Sequence, residues 1–347
     1  MKECKTDFLI IGAGLSGLTS AYYLKKNGID NFMIVESRNR IGGRILTRNA
    51  VDFGAAWFQN HHTNVVKLLD DLSIQKFHQY VKGTSVLVYN SMAPSHLFES
   101  DTSVPSAYRI GGGSIRMINT LAQPFLDKIQ LSQNVLNILE VENGLVVTTP
   151  EMEILTQKVI CTIPPRIAAR IKYEPELPEF VEAAMQRTHT WMSNAMKVGL
   201  TFECPFWRDK GFSGTIIGQV GAVTELYDHT NESENKFSLM GFINEGLRDL
   251  ESDKRKERIL SYLNKHLGEE VLNYVTYDEK DWSSDRHTSC ETIKSVYLSP
   301  EYGNPVFQKR YMNDRLVFSG SETATEFGGY MDGAIMRGQQ VVEQFLK

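Results

Sequence analysis

The chain has 347 residues, 41% of them hydrophobic and 23% charged, and 37 Lys and Arg against 42 Asp and Glu give a net charge of −5. This composition excludes a disordered, collagen-like or coiled-coil protein, and the mildly acidic balance provides no basic field for nucleic acid. The length predicts about two domains. Because no apolar run reaches about 18 residues and no signal sequence precedes the first one, we expect no membrane anchor and a cytoplasmic location.

The chain begins with a predicted strand–helix–strand unit. Residues 7–11 are a short apolar run typical of a buried strand, and residues 14–27 carry apolar side chains at helical spacing. Residues 32–35 form a second apolar run. This order predicts two parallel strands joined by a helix.

Three glycines in the spacing GxGxxG join the first strand to the helix, and a glutamate ends the second strand. The glycines allow a tight turn and a close approach to a pyrophosphate, and the helix N-terminus supplies N–H groups to it. The glutamate is placed to bind ribose hydroxyls. The alternative is a tight turn with a surface glutamate, but the context favours a dinucleotide site. We predict cofactor contacts at Gly12, Gly14, Leu15, Ser16, Gly17 and Glu36.

Hydrophobic periodicity predicts further elements along the chain. Helices are predicted at residues 64–72, 114–121, 252–267 and 329–346. Strands are predicted at residues 85–90, 135–142, 145–149, 158–162, 196–203, 213–219, 222–228, 237–243 and 315–319. Residues 91–107 are polar and are predicted to form a loop. The strands between residues 196 and 243 predict a mostly antiparallel sheet.

A second diglycine follows the predicted ribose-binding glutamate, in the sequence ESRNRIGGR at residues 36–44. A nicotinamide enzyme does not need this loop, so it indicates a longer cofactor. The pattern ExRxRxGGR resembles the extended fingerprint of FAD-dependent amine oxidases and related flavoproteins. The resemblance implies that Gly42 and Gly43 approach the flavin and that Arg44 contacts cofactor phosphate. Ser37 and Arg38 are expected in the same site.

The glycines at residues 111–113 begin a segment that ends in two prolines at 164 and 165. It is similar to the part of that family in which the chain re-enters the FAD domain. The resemblance implies that the backbone of Val135 binds adenine; an ordinary strand residue is the alternative. The stretch between Gly43 and Gly112 is shorter than in monoamine oxidases, which implies a more open substrate site or one capped by a partner.

Residues 320–324 read GSETA and residues 329–334 read GYMDGA. These segments resemble the GTETA and GYMEGA segments of the same family. The resemblance implies that Glu322 meets the ribityl–phosphate region and that backbone at Met331, next to Gly329 and Tyr330, faces the flavin pyrimidine ring. A helix N-terminus at that point stabilises the negative charge of reduced flavin.

Lys197 belongs to a predicted strand shortly before Phe206 and Trp207. By itself, a lysine on an alternating strand points to solvent. In the family, a lysine before a PFW segment holds a water against flavin N5. The resemblance therefore implies a catalytic Lys197 that assists hydride transfer or attracts O₂ by its charge.

The resemblance to monoamine oxidases also implies that Tyr330 is one wall of an aromatic sandwich that orients the amine. The other wall is expected downstream of Trp282, where an ungapped count places Thr292 at the family's second tyrosine and Glu291 at its covalent cysteine. FAD is therefore expected to be bound without a covalent link. Cys290 is one residue from the position of the family's covalent cysteine, so a covalent link to FAD at Cys290 is the alternative.

Other site chemistries find little support in the sequence. We predict no metal site, because adjacent residues such as His61 and His62 point apart. Trp57 lies where L-amino-acid oxidases carry a carboxylate-binding arginine. Amino acids are therefore disfavoured as substrates unless Arg109 or Arg166 takes that part.

The sequence is thus identified as a member of the FAD-dependent amine oxidase family. We expect an α/β protein with a split Rossmann-type FAD-binding domain (residues 1–75, 109–165 and 300–347) and an inserted α+β substrate domain (residues 76–108 and 166–299). The expected reaction transfers a hydride from an amine α-carbon to flavin N5, and O₂ reoxidises the flavin to give H₂O₂.

Two alternatives stay open. One is a desaturase or isomerase of an apolar substrate, since such enzymes share ExRxRxGGR; Lys197 disfavours it. The other is a partner-dependent FAD protein with little oxidase activity. The short substrate region leaves a protein partner or a homodimer open.

Overall fold

The structure, a computed structural model, describes residues 2–90, 92–101, 103, 107–289 and 301–347. In these residues the chain forms eight α-helices: α1 (Leu15–Lys26), α2 (Thr63–Asp71), α3 (Ser114–Ala122), α4 (Pro165–Ala168), α5 (Glu179–Arg187), α6 (Phe206–Asp209), α7 (Ser252–Leu267) and α8 (Met331–Leu346). Short 3-10 helices cover Gln123–Lys128, Trp191–Asn194, Glu245–Leu247, Glu269–Asn273, Pro305–Gln308 and Ser321–Thr323.

The same residues form twenty strands. They are β1 (Lys2–Ile11), β2 (Phe32–Val35), β3 (Thr47–Arg48), β4 (Val51–Asp52), β5 (Lys76–His78), β6 (Thr84–Val88), β7 (His96–Glu99), β8 (Tyr108–Ile110), β9 (Ile129–Gln130), β10 (Asn137–Val141), β11 (Gly144–Thr148), β12 (Met152–Cys161), β13 (Lys172–Glu174), β14 (Met196–Phe202), β15 (Phe212–Gly218), β16 (Val223–Asp228), β17 (Phe237–Ile243), β18 (Thr276–Asp281), β19 (Arg310–Tyr311) and β20 (Leu316–Phe318).

The first sheet has nine strands in the order β13–β10–β11–β12–β1–β2–β9, with β20 beside β12 and β19 beside β20. Its centre, β9–β2–β1–β12–β20, is parallel. Successive residues of β1 point to opposite faces: Ile10 packs with Leu18 of α1 and Ile335 of α8, whereas Leu9 and Ile11 belong to the core on the other face. Helices on the faces of a parallel sheet, as predicted, give a Rossmann-type layer.

The second sheet has seven strands in the order β18–β14–β17–β16–β15–β6–β7. Every pair is antiparallel except β6 with β15, which is parallel. Ile259 and Leu263 of α7 lie in one core with Val198 and Leu200 of β14. The predicted mostly antiparallel sheet and the predicted fold class are therefore confirmed.

A smaller core packs the β3–β4 hairpin and the residues after it against the second sheet. Phe53, which follows β4, packs there with Met240 of the second sheet and with Trp282. The Trp282 indole Nε1 donates a hydrogen bond to the Phe53 carbonyl at 2.8 Å. These contacts fix the loop after β4 against the second sheet, where it forms part of the cavity described below.

Two edge strands of the second sheet were not predicted. Residues 91–107 were predicted as a loop, but β7 lies there, and all four of its residues are exposed. β18 has the sequence TYDEKD, in which polar residues hide the strand pattern. An edge strand has one free side and needs fewer apolar residues, so its period-2 signal is weak.

The predicted domain division stays a prediction, and one of its boundaries differs from the packing. The two prolines before residue 166 begin only the short α4. β13 then pairs with β10 of the first sheet, and Tyr173 and Met185 share the core of Val159. Residues 172–187 therefore pack with the first sheet instead of the second. None of the helices in the described ranges is long and apolar enough to cross a membrane.

Candidate active site

A cavity of about 1160 Å³ is lined by residues of both sheets. Its walls come from the loops after β1, β2 and β12 and from β14, β17 and β18. The predicted site residues that line it are Gly12, Gly14, Leu15, Ser16, Glu36, Ser37, Arg38, Gly42, Gly43, Arg44, Val135, Lys197, Gly329, Tyr330 and Met331. Gly17 and Glu322 are not in this lining, and Thr292 lies outside the described residues.

The N-terminus of α1 opens into the cavity at Gly14. Its N-cap residue is Gly14, which has no side chain to cap the helix, and its first turn contains no acidic residue. Its N–H groups and positive dipole end are therefore available to an anion. A Cβ at Gly14 would meet only the Gly43 Cα, at 3.9 Å. A Cβ at Gly17 would lie 2.0 Å from the Gly12 carbonyl oxygen. Gly17 is therefore needed for helix–strand packing and Gly14 for access.

Glu36 is buried with its carboxylate already oriented. Oε2 accepts a hydrogen bond from the Ala13 N–H at 2.8 Å, and Oε1 accepts one from the Arg38 N–H at 2.8 Å. Gln133 N donates to the Glu36 carbonyl, also at 2.8 Å, which brings the loop containing Val135 to the same wall. The carboxylate needs no rearrangement to accept further hydroxyl donors.

The diglycine loop is held against the GxGxxG turn. Gly42 N donates to the Ala13 carbonyl at 2.8 Å. The Arg40 guanidinium donates to the carbonyls of Gly43 at 2.8 Å and Ile41 at 3.0 Å. Burial lowers the pKa of Arg40 from its usual value. Arg40 therefore shapes this loop from inside.

Arg44 lines the cavity, and Glu322 lies behind it. The two form a bidentate pair, with distances of 2.5 Å and 2.9 Å from the Nη atoms to the carboxylate oxygens. Thr190 and Ser321 also donate to this carboxylate. Burial alone would raise the pKa of Glu322, but Arg44 holds it below its ordinary value. That Glu322 meets the ribityl–phosphate region stays a prediction; in the structure Arg44 lines the cavity and Glu322 is its buried partner.

Arg38 connects the two sides of the cavity. Nη2 donates to Asp285 Oδ1 at 2.7 Å and to Thr288 Oγ1 at 2.9 Å, and Nη1 lies 3.6 Å from Glu36 Oε1. Lys280 Nζ lies 3.3 Å from Asp285 Oδ2. Burial alone would raise the pKa of Asp285, but Arg38 and Lys280 hold it below its usual range. A row of alternating charges thus ties residues 280–288 to the first sheet.

Lys197 of β14 is 2% exposed and does not point to solvent. Its Nζ donates to the carbonyls of Gly54 at 2.7 Å and Asp52 at 3.4 Å. The rings of Trp57 and Phe242 have their centroids 5.2 Å and 4.8 Å from Nζ. The amine therefore lies at an aromatic wall of the cavity, with two hydrogen bonds to backbone behind it.

The charge state of Lys197 follows from this environment. Burial lowers the pKa of Lys197 to about 7, although the carboxylates of Asp52 and Glu225 raise it. A buried amine with such a pKa exchanges a proton near neutral pH, which is a property of catalytic lysines.

Tyr330 lies at an accessible part of the cavity lining. Its side chain is 54% exposed, and its ring centroid is 5.4 Å from that of His62. The Trp191 indole, also in the lining, donates to the Gly329 carbonyl at 3.3 Å. Tyr330 precedes α8, whose first residue, Met331, faces the cavity as well.

The two adjacent histidines behave differently from the prediction. Instead of pointing apart, the rings of His61 and His62 have centroids 4.7 Å from each other, and both pack on Phe327. Among the described residues, no three His, Cys, Asp or Glu side chains are arranged to hold a metal ion.

Several cavity residues carried no sequence signal for a site. Phe242 was predicted only as a strand residue, and Asp285 lies in an unpredicted segment. Trp57 was singled out as a missing arginine, although it lines the cavity next to Lys197. Each is brought to the site by non-local packing, which no local pattern reports.

The chain has counterparts along its whole length. A family model described as flavin containing amine oxidoreductase matches residues 15–92 and 86–346. A flavin-containing amine oxidase of Danio rerio is 25% identical over 98% of this chain and 85% of its own length. A putrescine oxidase of Kocuria rosea is 30% identical over 58% of this chain and 42% of its own. A solved wild-type putrescine oxidase bound to putrescine has a TM-score of 0.87 at 22% identity, covering 99% of both chains.

The parallel sheet, the free helix N-terminus and the buried glutamate define a dinucleotide-binding protein of the Rossmann type. With the match of the family model, the chain belongs to the family of flavin-containing amine oxidoreductases. It is an FAD-dependent oxidoreductase that acts on small-molecule amines. The residues present fit FAD: the α1 N-terminus faces a pyrophosphate position, Glu36 is oriented for a ribose, and the cavity extends to Lys197 in the second sheet.

Proposed function

We propose that the protein oxidises an amine at its α-carbon to an imine, which water hydrolyses. For a primary amine the balance is RCH₂NH₂ + O₂ + H₂O → RCHO + NH₃ + H₂O₂. When bound, the flavin supplies the acceptor for the hydride and passes the two electrons to O₂. The observation that carries this proposal is the buried Lys197, which lies between two aromatic rings in the cavity that also holds the dinucleotide loops.

We assign to Lys197 the handling of a proton. An amine must be neutral to lose a hydride from its α-carbon, yet free amines are mostly protonated at pH 7. In its neutral form, Nζ donates its two N–H groups to the carbonyls of Asp52 and Gly54 and keeps a lone pair. That lone pair accepts a proton from the substrate ammonium, directly or through a water. The pKa of Lys197, about 7, suits this exchange.

We assign substrate orientation to the aromatic side chains of the lining. Trp57 and Phe242 flank Lys197, and Tyr330 presents its ring on the accessible side. Aromatic faces bind apolar substituents and attract an ammonium group. The aromatic side chains of the lining also exclude water from the reacting carbon of the substrate.

The charges of the lining favour a monoamine with an apolar substituent. Among the described lining residues the carboxylates are Glu36 and Asp285, and both are engaged with Arg38. Neither Arg109 nor Arg166 lines the cavity, so these two arginines offer no carboxylate site for an amino acid.

We propose that FAD is held without a covalent bond. The positions that bear on a link, Cys290, Glu291 and Thr292, lie outside the described residues. The test is acid precipitation: flavin in the supernatant supports the proposal, and flavin in the pellet contradicts it. The cytoplasmic location, a protein partner or homodimer, and the catalytic part of Thr292 stay predictions.

The experiment that tests the function is an anaerobic titration of the FAD-loaded protein. The panel contains arylalkyl monoamines, alkyl monoamines, putrescine and L-amino acids. We expect an apolar monoamine to remove the visible absorbance of the oxidised flavin, and air to restore it with one H₂O₂ per aldehyde. Stable flavin that no amine reduces would overturn the proposal and favour a partner-dependent protein. Reduction by putrescine alone would contradict the monoamine assignment.

A further inference from the structure

Three charged or titratable side chains that the proposed reaction does not use are buried together near Lys197. Asp52 is 1% exposed, Arg109 is 3% exposed and His229 is not exposed. They come from β4, β8 and the residue after β16, so they join the first part of the chain to the second sheet. Burying a charged side chain costs folding free energy, so a buried cluster of charges outside the reaction indicates another role.

Asp52 is the centre of this cluster. Its carboxylate accepts hydrogen bonds from Thr47 Oγ1 at 2.5 Å, Ser114 N at 3.1 Å and Ser114 Oγ at 3.3 Å. Its backbone N–H donates to His229 Nε2 at 3.1 Å. The residue is thus fixed to the start of α3 and to the second sheet at once.

The same residue touches Lys197 through its backbone. Lys197 Nζ donates to the carbonyls of Asp52 and Gly54. The Asp52 carbonyl is thus one acceptor of the lysine. The other acceptor, the Gly54 carbonyl, is two residues further along the chain, so fixing Asp52 also restrains its position. The Asp52 carboxylate makes no hydrogen bond to the lysine in the structure, so its effect on the amine is that of a nearby charge.

His229 and Arg109 complete the cluster around that charge, and His229 Nε2 lies 3.4 Å from Asp52 Oδ2. His229 Nε2 is an acceptor, and burial, followed by the nearby Arg109, lowers the pKa of His229 to about 4, so the imidazole is neutral at neutral pH. Arg109 donates to the carbonyls of Thr230 at 2.7 Å and His229 at 3.0 Å. Burial lowers the pKa of Arg109 to about 10, which still leaves it a cation.

We propose that Asp52 is a positioning residue for Lys197: the buried Asp52 carboxylate fixes the backbone acceptors of the lysine Nζ and places a negative charge near it. The proposal rests on the proposed function of Lys197. It makes the proton exchange of Lys197 depend on a residue that contacts the lysine but does not line the cavity.

The other charged groups around Lys197 are held by their own partners. On β16, Glu225 accepts a hydrogen bond from Tyr227 Oη at 2.9 Å. On β18, Lys280 is directly opposite Lys197 and pairs with Asp285. Arg109 and His229 lie beyond Asp52. Because the Asp52 carboxylate raises the pKa of Lys197, removing its charge shifts the exchange of this lysine to lower pH.

The test compares Asp52→Asn with His229→Gln as the matched control in the same cluster. Asn keeps the size of the side chain and removes the charge, whereas Gln replaces a neutral ring. The limiting rate of anaerobic flavin reduction at saturating amine is measured against pH. We expect the rising limb near pH 7 to move down by about one unit in Asp52→Asn and to stay in place in His229→Gln.

A second readout needs no substrate. The pH midpoint at which the absorbance of bound oxidised flavin changes is recorded for the same variants, and the same displacement is expected. Asp52→Ser also removes the charge and keeps a hydroxyl acceptor for Ser114, and it replaces Asp52→Asn if that variant does not retain FAD. Loss of FAD in both, with His229→Gln intact, would overturn the proposal by showing that Asp52 serves folding alone.

Lys197→Met separates failure of this inference from failure of the proposed function. If Lys197→Met abolishes the limb and Asp52→Asn leaves it in place, the inference is wrong and the role of Lys197 stands. If Lys197→Met keeps the limb, the role of Lys197 is wrong, and the inference falls with it.

Discussion

On the cofactor side of the cavity the lining consists of glycine-containing loops with charged side chains such as Glu36 and Arg44. On the substrate side it consists of Lys197 and the rings of Trp57, Phe242 and Tyr330. The cofactor side makes internal hydrogen bonds before any ligand arrives: Ala13 to Glu36, and Gly42 to Ala13. The substrate side offers one buried amine and apolar surface. The cofactor side tolerates few substitutions because its backbone conformation forms the binding site. On the substrate side, a substitution can change the reaction while the fold is kept.

The largest effect is expected at the glycines of the cofactor side. Gly17→Ala places a Cβ 2.0 Å from the Gly12 oxygen, which the backbone cannot accommodate without breaking the packing of α1 on β1, so we expect little folded protein. Gly14→Ala has no contact closer than 3.9 Å and should fold, yet bind FAD at least about tenfold more weakly because the pyrophosphate loses room. Thermal denaturation of the apoproteins and FAD titration separate the two. Normal FAD affinity in Gly14→Ala would contradict the assignment.

The second effect concerns the pair behind the cavity wall. Glu322→Ala leaves Arg44 without its buried partner, and breaking such a pair costs about 3–5 kcal/mol. Glu234→Ala, which removes a 65% exposed carboxylate paired with Arg208, should cost at most about 1 kcal/mol. Urea denaturation measures both. Equal costs would show that the Arg44–Glu322 pair does not stabilise the fold.

The third effect tests the row of charges between the two sides. Asp285→Asn removes the charge that connects Arg38 with Lys280. We expect FAD to dissociate about tenfold faster, equivalent to about 1.4 kcal/mol, because the contact of residues 280–288 with the first sheet loses its ion pair and keeps the Arg38–Thr288 hydrogen bond. Asp249→Asn, at an exposed position, is the control. FAD release is followed by the recovery of flavin fluorescence, and equal rates in the two variants would refute the tie.

The smallest effect is expected at Tyr330, where the ring rather than the hydroxyl is proposed to orient the amine. Tyr330→Phe should change kcat/KM by less than about twofold, and Tyr330→Ala should lower it about 2- to 10-fold, the range of an aromatic contact. Steady-state kinetics with an apolar monoamine measures this. A large loss in Tyr330→Phe would mean that the hydroxyl takes part.

The same contrast explains what the sequence predicts. The cofactor side consists of short segments, each with its own local signal: GxGxxG with Glu36, ExRxRxGGR, and the glycines before α8. Strands with apolar runs, such as β1 and β14, were predicted to within a few residues, although β1 begins earlier than its apolar run. The backbone conformation of these segments depends on residues adjacent in sequence, so it can be predicted without knowing the fold.

Pairs of residues far apart in sequence were not predictable. Arg38 meets Asp285 because the loop after β2 packs against the residues after β18. Asp52 meets His229 because the β3–β4 hairpin packs against the second sheet. The pairing of Glu322 with Arg44 joins residues 278 positions apart and has no local signal in the sequence. Polar edge strands such as β18 lack the alternation on which strand prediction depends.

If the two sides of the cavity are separable, a change at Lys197 affects the reaction and leaves FAD binding intact. Stopped-flow kinetics of Lys197→Met, with FAD content measured in parallel, tests it directly. We predict stoichiometric FAD with the wild-type spectrum, and a limiting rate of anaerobic reduction by amine at least about 100-fold lower. Unchanged rates of both reduction and reoxidation would contradict the account.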